Sequence, residues 1–348
     1  MKITIVGAGA IGSVLGAYLI WEGKDVEFVD INADHIKDMK ERGLEIRAFE
    51  GPFRVAVKAF TPEQYILENE TIECLFLCVK IQHIKEALEP LLPLMKEHSF
   101  VVLTQNGFCE TNIAKLVGDG KTLSSFVSIG ADYLEPGLVH YGWKGLLTVG
   151  EINEEISPRL KKLEKEMSSL DIFQTTNNIM GYKWLMIAYE AIIAAASLSH
   201  DMVVDIIENP RYQEMLANLC TEVLELANSI GIEFNEIEFD NFNALHIYPR
   251  EARDCQKMQM MLNSHANLIR TSTKVRSGIW RDIVVRKIKS EVTYCFEPVF
   301  RLAEKEEIKM PMCHAMLDIF SDIEDGKRKV SIENLEELLQ KDIITYSR

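Results

Sequence analysis

Lys2-Ile3-Thr4-Ile5-Val6-Gly7-Ala8-Gly9-Ala10-Ile11-Gly12 stands at the head of the chain. The run from Lys2 to Val6 is apolar and of strand length, and the stretch after Gly12 reads as an amphipathic helix to about Gly23. A glycine run between a strand and a helix is built for a dinucleotide. Gly7 allows the tight turn, Gly9 lets the backbone approach a pyrophosphate, and Gly12 lets the helix pack on its strand; free N–H groups at the helix start face the phosphates. The G-x-G-x-x-G run alone is a weak signal. It gains weight from a second β run, Asp25-Val26-Glu27-Phe28-Val29, which closes the βαβ unit and ends in Asp30, eighteen residues after Gly12. A carboxylate there suits a ribose with two free hydroxyls and repels a 2′-phosphate, which favours NADH over NADPH. On this reading Gly7, Ala8, Gly9, Ala10, Ile11, Gly12 and Asp30 hold the cofactor.

A chain of 348 residues is comfortable for two domains. The net charge of −15 argues against a nucleic-acid or anionic-membrane partner, since either needs a basic field. A small anionic substrate stays open, because Arg281, Arg286, Lys287 and Lys289 form a local basic cluster. Seven cysteines without a paired framework read as reduced thiols in a cytoplasmic protein. Cys74 and Cys78 lie in a core strand and are expected to pack as small hydrophobes, so no metal site is expected. With the first strand beginning within two residues of Met1, no signal peptide is expected, and no apolar run is expected to span a membrane.

Strands and helices alternate after Asp30, with a helix over 33–42, a β region to Val57, a helix start at Thr61-Pro62-Glu63 and a strand over 73–79. A helix over about 84–96, broken by Pro90 and Pro93, leads to the strand Phe100–Leu103 and to Thr104-Gln105-Asn106-Gly107. Such alternation predicts a doubly wound parallel sheet. Ligands of these sheets gather at the carboxyl ends of strands, where the glycine loop, Lys80 and Asn106 now stand. Shorter runs over 124–151 suggest an antiparallel extension of the sheet, followed by a helix over 157–169 and a last strand over 172–175. Beyond Asn177 helical periodicity dominates. Helices are expected over 181–199, 210–229, 250–270, 284–306, 312–324 and 331–339, so the boundary falls near 175 between a dinucleotide-binding domain (1–175) and a helical domain (176–348).

Taken in order, Gly7-x-Gly9-x-x-Gly12, Cys78-Val79-Lys80, Thr104-Gln105-Asn106-Gly107, Lys183-Trp184, and Ser277 with Asp282 and Glu291 ahead of Ile308-x-Met310-Pro311 resemble the ketopantoate reductase (2-dehydropantoate 2-reductase) family. The similarity covers nearly the whole chain, and five motifs in order are more specific than any one. The resemblance implies an α/β chain: an N-terminal Rossmann-type doubly wound sheet, followed by an all-helical C-terminal domain. It also implies NAD(P)H reducing a 2-oxo acid in the cleft between the domains, with NADPH usual in the family. Lys80 and Asn106 would lie near cofactor and substrate, with Asn106 and Glu291 orienting the substrate; a homodimer is compatible.

The departures concern the substrate side. The position of the family's catalytic lysine, two residues after Trp184, is Met186. The polar residues four and eight further on become Glu190 and Ala194, and the substrate serine becomes Gly278, with Ser277 beside it. Lys183, about one helical turn before Met186, is long enough to reach the same place and is the candidate proton donor; its alternative is a solvated helix start. Glu190, Ser277 and Gly278 are the candidate substrate contacts. Three activities remain open: reduction of 2-dehydropantoate, reduction of another 2-oxo acid or an opine-like condensation, and a dinucleotide-binding regulatory protein without catalysis.

Overall fold

Ile3 and Ile5 point into one hydrophobic core and Val6 into another, although all three belong to one four-residue strand. The same split separates Cys74 and Phe76 from Leu75 and Leu77, and Phe100 and Val102 from Val101 and Leu103. Strands buried on both faces lie inside a sheet that is covered on both sides. The computed structural model describes residues 1–118, 120–234 and 237–346, and the chain divides into two compact units, Met1–Ile179 and Met180–Arg348.

The strands of the first unit are β1 (Ile3–Val6), β2 (Val26–Val29), β3 (Leu44–Ala48), β4 (Gly51–Val55), β5 (Lys58–Phe60), β6 (Ile72–Leu77), β7 (Met95–Leu103), β8 (Thr122–Val127), β9 (Gly130–Glu135), β10 (Leu138–Trp143), β11 (Leu147–Gly150) and β12 (Phe173–Thr176). Eight of them form the main sheet in the order β12-β11-β8-β7-β6-β1-β2-β5. Among these eight strands one pair is antiparallel, β11 with β8; β12 runs parallel to β11, so both run opposite to the other six. The chain leaves β1 for β2 on one side and returns to β6 on the other. Strand order therefore reverses at β1 and β6, the place where such sheets open a crevice for ligands.

The expected antiparallel extension over 124–151 is only half right. β8 and β11 do extend the main sheet, but β9 and β10 leave it and join β3 and β4 in a second sheet, ordered β4-β3-β10-β9. This sheet packs on helix α1 (Ala10–Trp21), whose other side rests on β1 and β2. Covered from both sides, α1 buries Gly12 to Ala17 and Leu19, and it is not the amphipathic helix its sequence suggested. Helix α2 (Ala33–Arg42) begins at Asn32, whose side chain accepts the His35 N–H. The helix expected over 84–96 ends at Leu88 and tightens into a 3₁₀ turn over Glu89–Leu94, because Pro90 and Pro93 lack the N–H a longer helix needs.

The second unit is built on α3 (Ile179–Ala196), α4 (Pro210–Ser229), α5 (Cys255–Arg270), α6 (Val292–Lys305), α7 (Pro311–Glu324) and α8 (Ile332–Tyr346). It is not wholly helical, since Glu238–Phe239 and Phe242–Asn243 pair as a small hairpin. A further correction concerns α3. By length and composition this helix is apolar enough to cross a bilayer, yet 72% of it is buried inside the protein, as befits a core helix. Within the unit Glu222 of α4 accepts the Met312 and Cys313 N–H groups at the start of α7 and the Tyr346 hydroxyl of α8. One carboxylate thus caps one helix and ties down another.

Candidate functional site: a glycine loop and a buried lysine helix

The loop between β1 and α1 is forced by its surroundings. Gly7 has φ +95°, and a Cβ there would stand 2.9 Å from the backbone of Cys78 and Val79 at the end of β6. A Cβ on Gly12 would meet the Gly7 carbonyl oxygen at 2.1 Å. Gly9 differs, for a Cβ there would meet nothing within 4 Å. The protein's own packing demands the first and third glycines; the second faces open space, which is the shape a pyrophosphate would fill. Gly9 also caps α1 without a side-chain hydrogen bond, and the first turn holds no acidic residue, so the N–H groups at this helix start suit an anion. These residues fit a dinucleotide.

Asp30 sits beside the loop and is already engaged. Its Oδ2 accepts the Ala8 N–H at 2.7 Å and its Oδ1 accepts the Asn32 N–H at 2.8 Å. Each carboxylate oxygen keeps a second lone pair, so the ribose role survives alongside this bracing. The Ala8 carbonyl accepts from Ser13 Oγ at 2.7 Å and from His35 Nε2 at 2.8 Å. The Gly137 N–H donates to His35 Nδ1 at 2.9 Å, which makes Nε2 the protonated nitrogen. Burial holds this imidazole below its ordinary pKa.

At the strand ends, Thr104 Oγ1 and Gln105 Nε2 donate to the Leu77 carbonyl, and Gln105 Nε2 also reaches Val79 O at 2.7 Å. Asn106 Nδ2 donates to Val127 O at 3.0 Å while its Oδ1 accepts the Val127 N–H at 3.2 Å. The tripeptide therefore splices β7 to the ends of β6 and β8. Asn106 keeps one amide hydrogen and one lone pair for a ligand. Lys80 is partly buried just after β6, at the start of the 3₁₀ turn Ile81–His83.

In the second unit Lys183 is fully buried on α3, which removes the reading of a solvated helix start. Met186 and Ala194 are buried on the same helix, and Glu190 is half-buried. The next residue back, Tyr189, donates its hydroxyl hydrogen to His265 Nε2 at 2.9 Å, since His265 Nδ1–H is spent on the Asp240 carbonyl at 2.6 Å. Burial lowers the His265 pKa from 6.5 to about 4. This pair locks the hairpin turn onto α3.

Ser277 begins the short helix Gly278–Trp280, accepting the Trp280 N–H at 2.9 Å. Its hydroxyl lies 2.6 Å from Ser197 Oγ, whose own hydrogen goes to the Ile193 carbonyl. With the Ser197 hydrogen on Ile193, the Ser277 hydrogen goes to Ser197, which leaves Ser277 a lone pair with which to accept. Gly278 is exposed, and a Cβ there would meet nothing within 4 Å. Asp282 is buried and takes Arg286 at 2.7 Å within the π-helical turn Arg281–Arg286, and Lys289 lies 3.7 Å from Asp325. Two of the four cations in the expected basic cluster thus face carboxylates of the same unit. Glu291 is half-buried at the start of α6, where its carbonyl accepts the Cys295 N–H.

Sequence reasoning did not single out Ser13, His35, Gln105, Ser197 or His265. Only Gln105 carried a signal, as the neighbour of Asn106 at a strand end; the others act through pairings that no spacing announces.

Comparison with known proteins follows the same division of the chain. Residues 3–154 match the family model for ketopantoate reductase PanE/ApbA, and residues 178–324 match the model for its C-terminal part. A curated 2-dehydropantoate 2-reductase of Pyrococcus abyssi is 29% identical over 245 residues, covering 70% of this chain and 79% of that one. Among solved structures, D-mandelate dehydrogenase in a ternary complex with NADH and anilino(oxo)acetate is similar with a TM-score of 0.79 at 18% identity, over 94% of this chain and 99% of that chain. A dimeric ketopantoate reductase from Staphylococcus aureus is similar with a TM-score of 0.71 at 14% identity, over 94% and 100%. At such identities the structural likeness establishes the fold.

Proposed function

Since this chain belongs to the ketopantoate reductase family of nicotinamide-dinucleotide-dependent oxidoreductases acting on a keto group, we propose that it reduces a small anionic 2-oxo acid, by resemblance 2-dehydropantoate to pantoate. The observation that carries this reading is the loop ahead of α1, where Gly9 faces open space at a helix start with no acidic residue in its first turn, as a dinucleotide phosphate requires. Lys183, buried on α3 one helical turn before Met186, is the proton donor assigned to the same reaction.

A nicotinamide dinucleotide held by the Gly7–Gly12 loop and Asp30 would supply the hydride chemistry. Lys183 Nζ gives the proton that the developing alkoxide needs. Asn106 uses the amide hydrogen left over from Val127 to orient cofactor or substrate, and Glu291 receives a substrate hydroxyl. The basic residues near Arg281 and Arg286 are assigned to the substrate carboxylate, which Arg286 would share with Asp282. Gly278 and Ala194 leave more room than the larger polar residues of the family, while Glu190 adds a carboxylate; these changes support a 2-oxo acid other than 2-dehydropantoate, including one with a cationic group. Asp30 favours NADH. A cytoplasmic homodimer agrees with the composition and with the dimeric relative. Met186 supports a second reading, a dinucleotide-binding regulatory protein without catalysis.

The test is oxidation of NADH and NADPH with 2-dehydropantoate beside a panel of 2-oxo acids with and without amino groups, with Lys183→Ala as control. Turnover should fall about a hundredfold in the variant with the NADH Kd unchanged. Turnover that survives the substitution removes Lys183 from the mechanism. Tight NADH binding with no substrate in the panel selects the regulatory reading.

A further inference from the structure

The Ala8–Gly9 peptide is held more firmly than a loop peptide needs to be. Both lone pairs of the Ala8 carbonyl are occupied, one by Ser13 Oγ at 2.7 Å and one by His35 Nε2 at 2.8 Å, and the preceding peptide is held in turn, its Ala8 N–H donating to Asp30. Ser13 and His35 are fully buried, so neither donor competes with water. In a trans peptide the carbonyl and the following N–H point in opposite directions. Turning the Ala8 carbonyl into the protein therefore turns the Gly9 N–H out of it, on the residue whose side-chain direction is open. Among the described residues none accepts that N–H.

The imidazole is itself aimed from outside the loop. The Gly137 N–H holds Nδ1, and Gly137 stands in the turn between β9 and β10 with φ +72°, close enough that a Cβ would lie 3.3 Å from Asp38 Cβ of α2. The Tyr133 ring of β9 meets the imidazole edge-on at 5.1 Å between centroids. The second sheet thus orients His35, and His35 orients the loop.

We propose that His35, together with Ser13, is a positioning residue for the dinucleotide: the two fix the Ala8 carbonyl inward so that the Gly9 N–H is preorganised for the pyrophosphate. The proposal rests on the dinucleotide reading of this loop and adds the part of the fold that sets its geometry. It makes the second sheet a support of cofactor binding as well as a cover for α1.

The two nitrogens of His35 can be separated by substitution. Gln at 35 places an amide N–H near Nε2 and keeps a donor for Ala8, whereas Asn places an oxygen near Nδ1, keeps an acceptor for Gly137 and loses the Ala8 contact. NADH binding would be followed by fluorescence titration of wild type, His35→Asn, His35→Gln and Ser13→Ala, with thermal midpoints in parallel. The Kd should rise roughly tenfold in His35→Asn and about threefold in Ser13→Ala, and stay within about threefold in His35→Gln. A histidine that only stabilises the fold would lower the midpoint and leave the Kd values of the Asn and Gln variants alike, and that result overturns the proposal. Should His35→Asn not fold, Ser13→Ala decides, since a wild-type Kd there shows that pinning the carbonyl is irrelevant. Wild-type protein that binds neither NADH nor NADPH would instead remove the cofactor reading beneath it, an outcome seen before any variant is made.

Discussion

The glycine loop and the helix α3 each hold a group of candidate site residues, and the two groups are built in very different ways. In the loop all three glycines stand in place, and each has a reason in backbone geometry: two are required by atoms 2.1 to 2.9 Å from their absent Cβ, and one faces open space. On α3 the candidate positions Lys183, Met186, Glu190 and Ala194 are side chains spread over about three turns, three of them buried and Glu190 half-buried. A site built from backbone N–H groups tolerates no change at its glycines and little need for change elsewhere. A site built from side-chain tips can be remade one residue at a time while the helix beneath keeps its packing.

That contrast can be broken most directly inside the loop. Gly12→Ala sets a Cβ against the Gly7 carbonyl and should cost about 4 kcal/mol of stability or more, whereas Gly9→Ala should leave the thermal midpoint near wild type and weaken NADH binding at least tenfold. Equal midpoints, or equal Kd values, would mean that the glycines are not divided between fold and ligand. The next effect belongs to the second unit, where a side chain rather than backbone holds the frame. His265 is refused a proton in the fold, with its pKa lowered from 6.5 to about 4, so the unfolded chain binds the proton first as pH falls. Its contribution is whole above pH 6.5 and declines toward pH 4, a loss of roughly 3 kcal/mol. Thermal midpoints between pH 7 and 4 should therefore fall more steeply in wild type than in His265→Gln, and parallel curves would assign the acid sensitivity elsewhere.

Smaller effects sharpen the picture on each side. Asp30→Ala frees the Ala8 and Asn32 N–H groups as well as removing charge, so both cofactors should bind less well, NADH by roughly tenfold and NADPH by less. The ratio of the two Kd values, read by titration, isolates the ribose from the bracing; an unchanged ratio would leave Asp30 with a bracing role alone. Gly278→Ser enters open space and should not disturb folding. If the substrate side has lost only this hydroxyl, KM for 2-dehydropantoate should drop about threefold, and an unaltered KM would show that the pocket has turned to another acid.

Legibility followed the range of the interactions. β1, α1 and β2 were readable to within a few residues, and α2 and α4 to the residue, because caps, glycines and Pro210 mark them locally. The second sheet was not, since β3 pairs with β10 across some ninety residues and neither strand names its partner. Asn106 illustrates the middle case. Its place at a strand end was visible, but that it clasps the Val127 backbone with both ends of its amide depends on where β8 lies.

By itself the order of residues determined a dinucleotide loop, a parallel sheet, a helical second unit and a family likeness, because each of these depends on periods and spacings carried within one element. Tertiary structure alone decided that α1 is covered twice, that Lys183 is buried, that the Ser277 hydrogen is spent on Ser197, and that His35 holds the carbonyl of Ala8. Those facts arise from hydrogen bonds and burial between segments distant along the chain, and a donor's partner in space is not encoded in its neighbours in sequence.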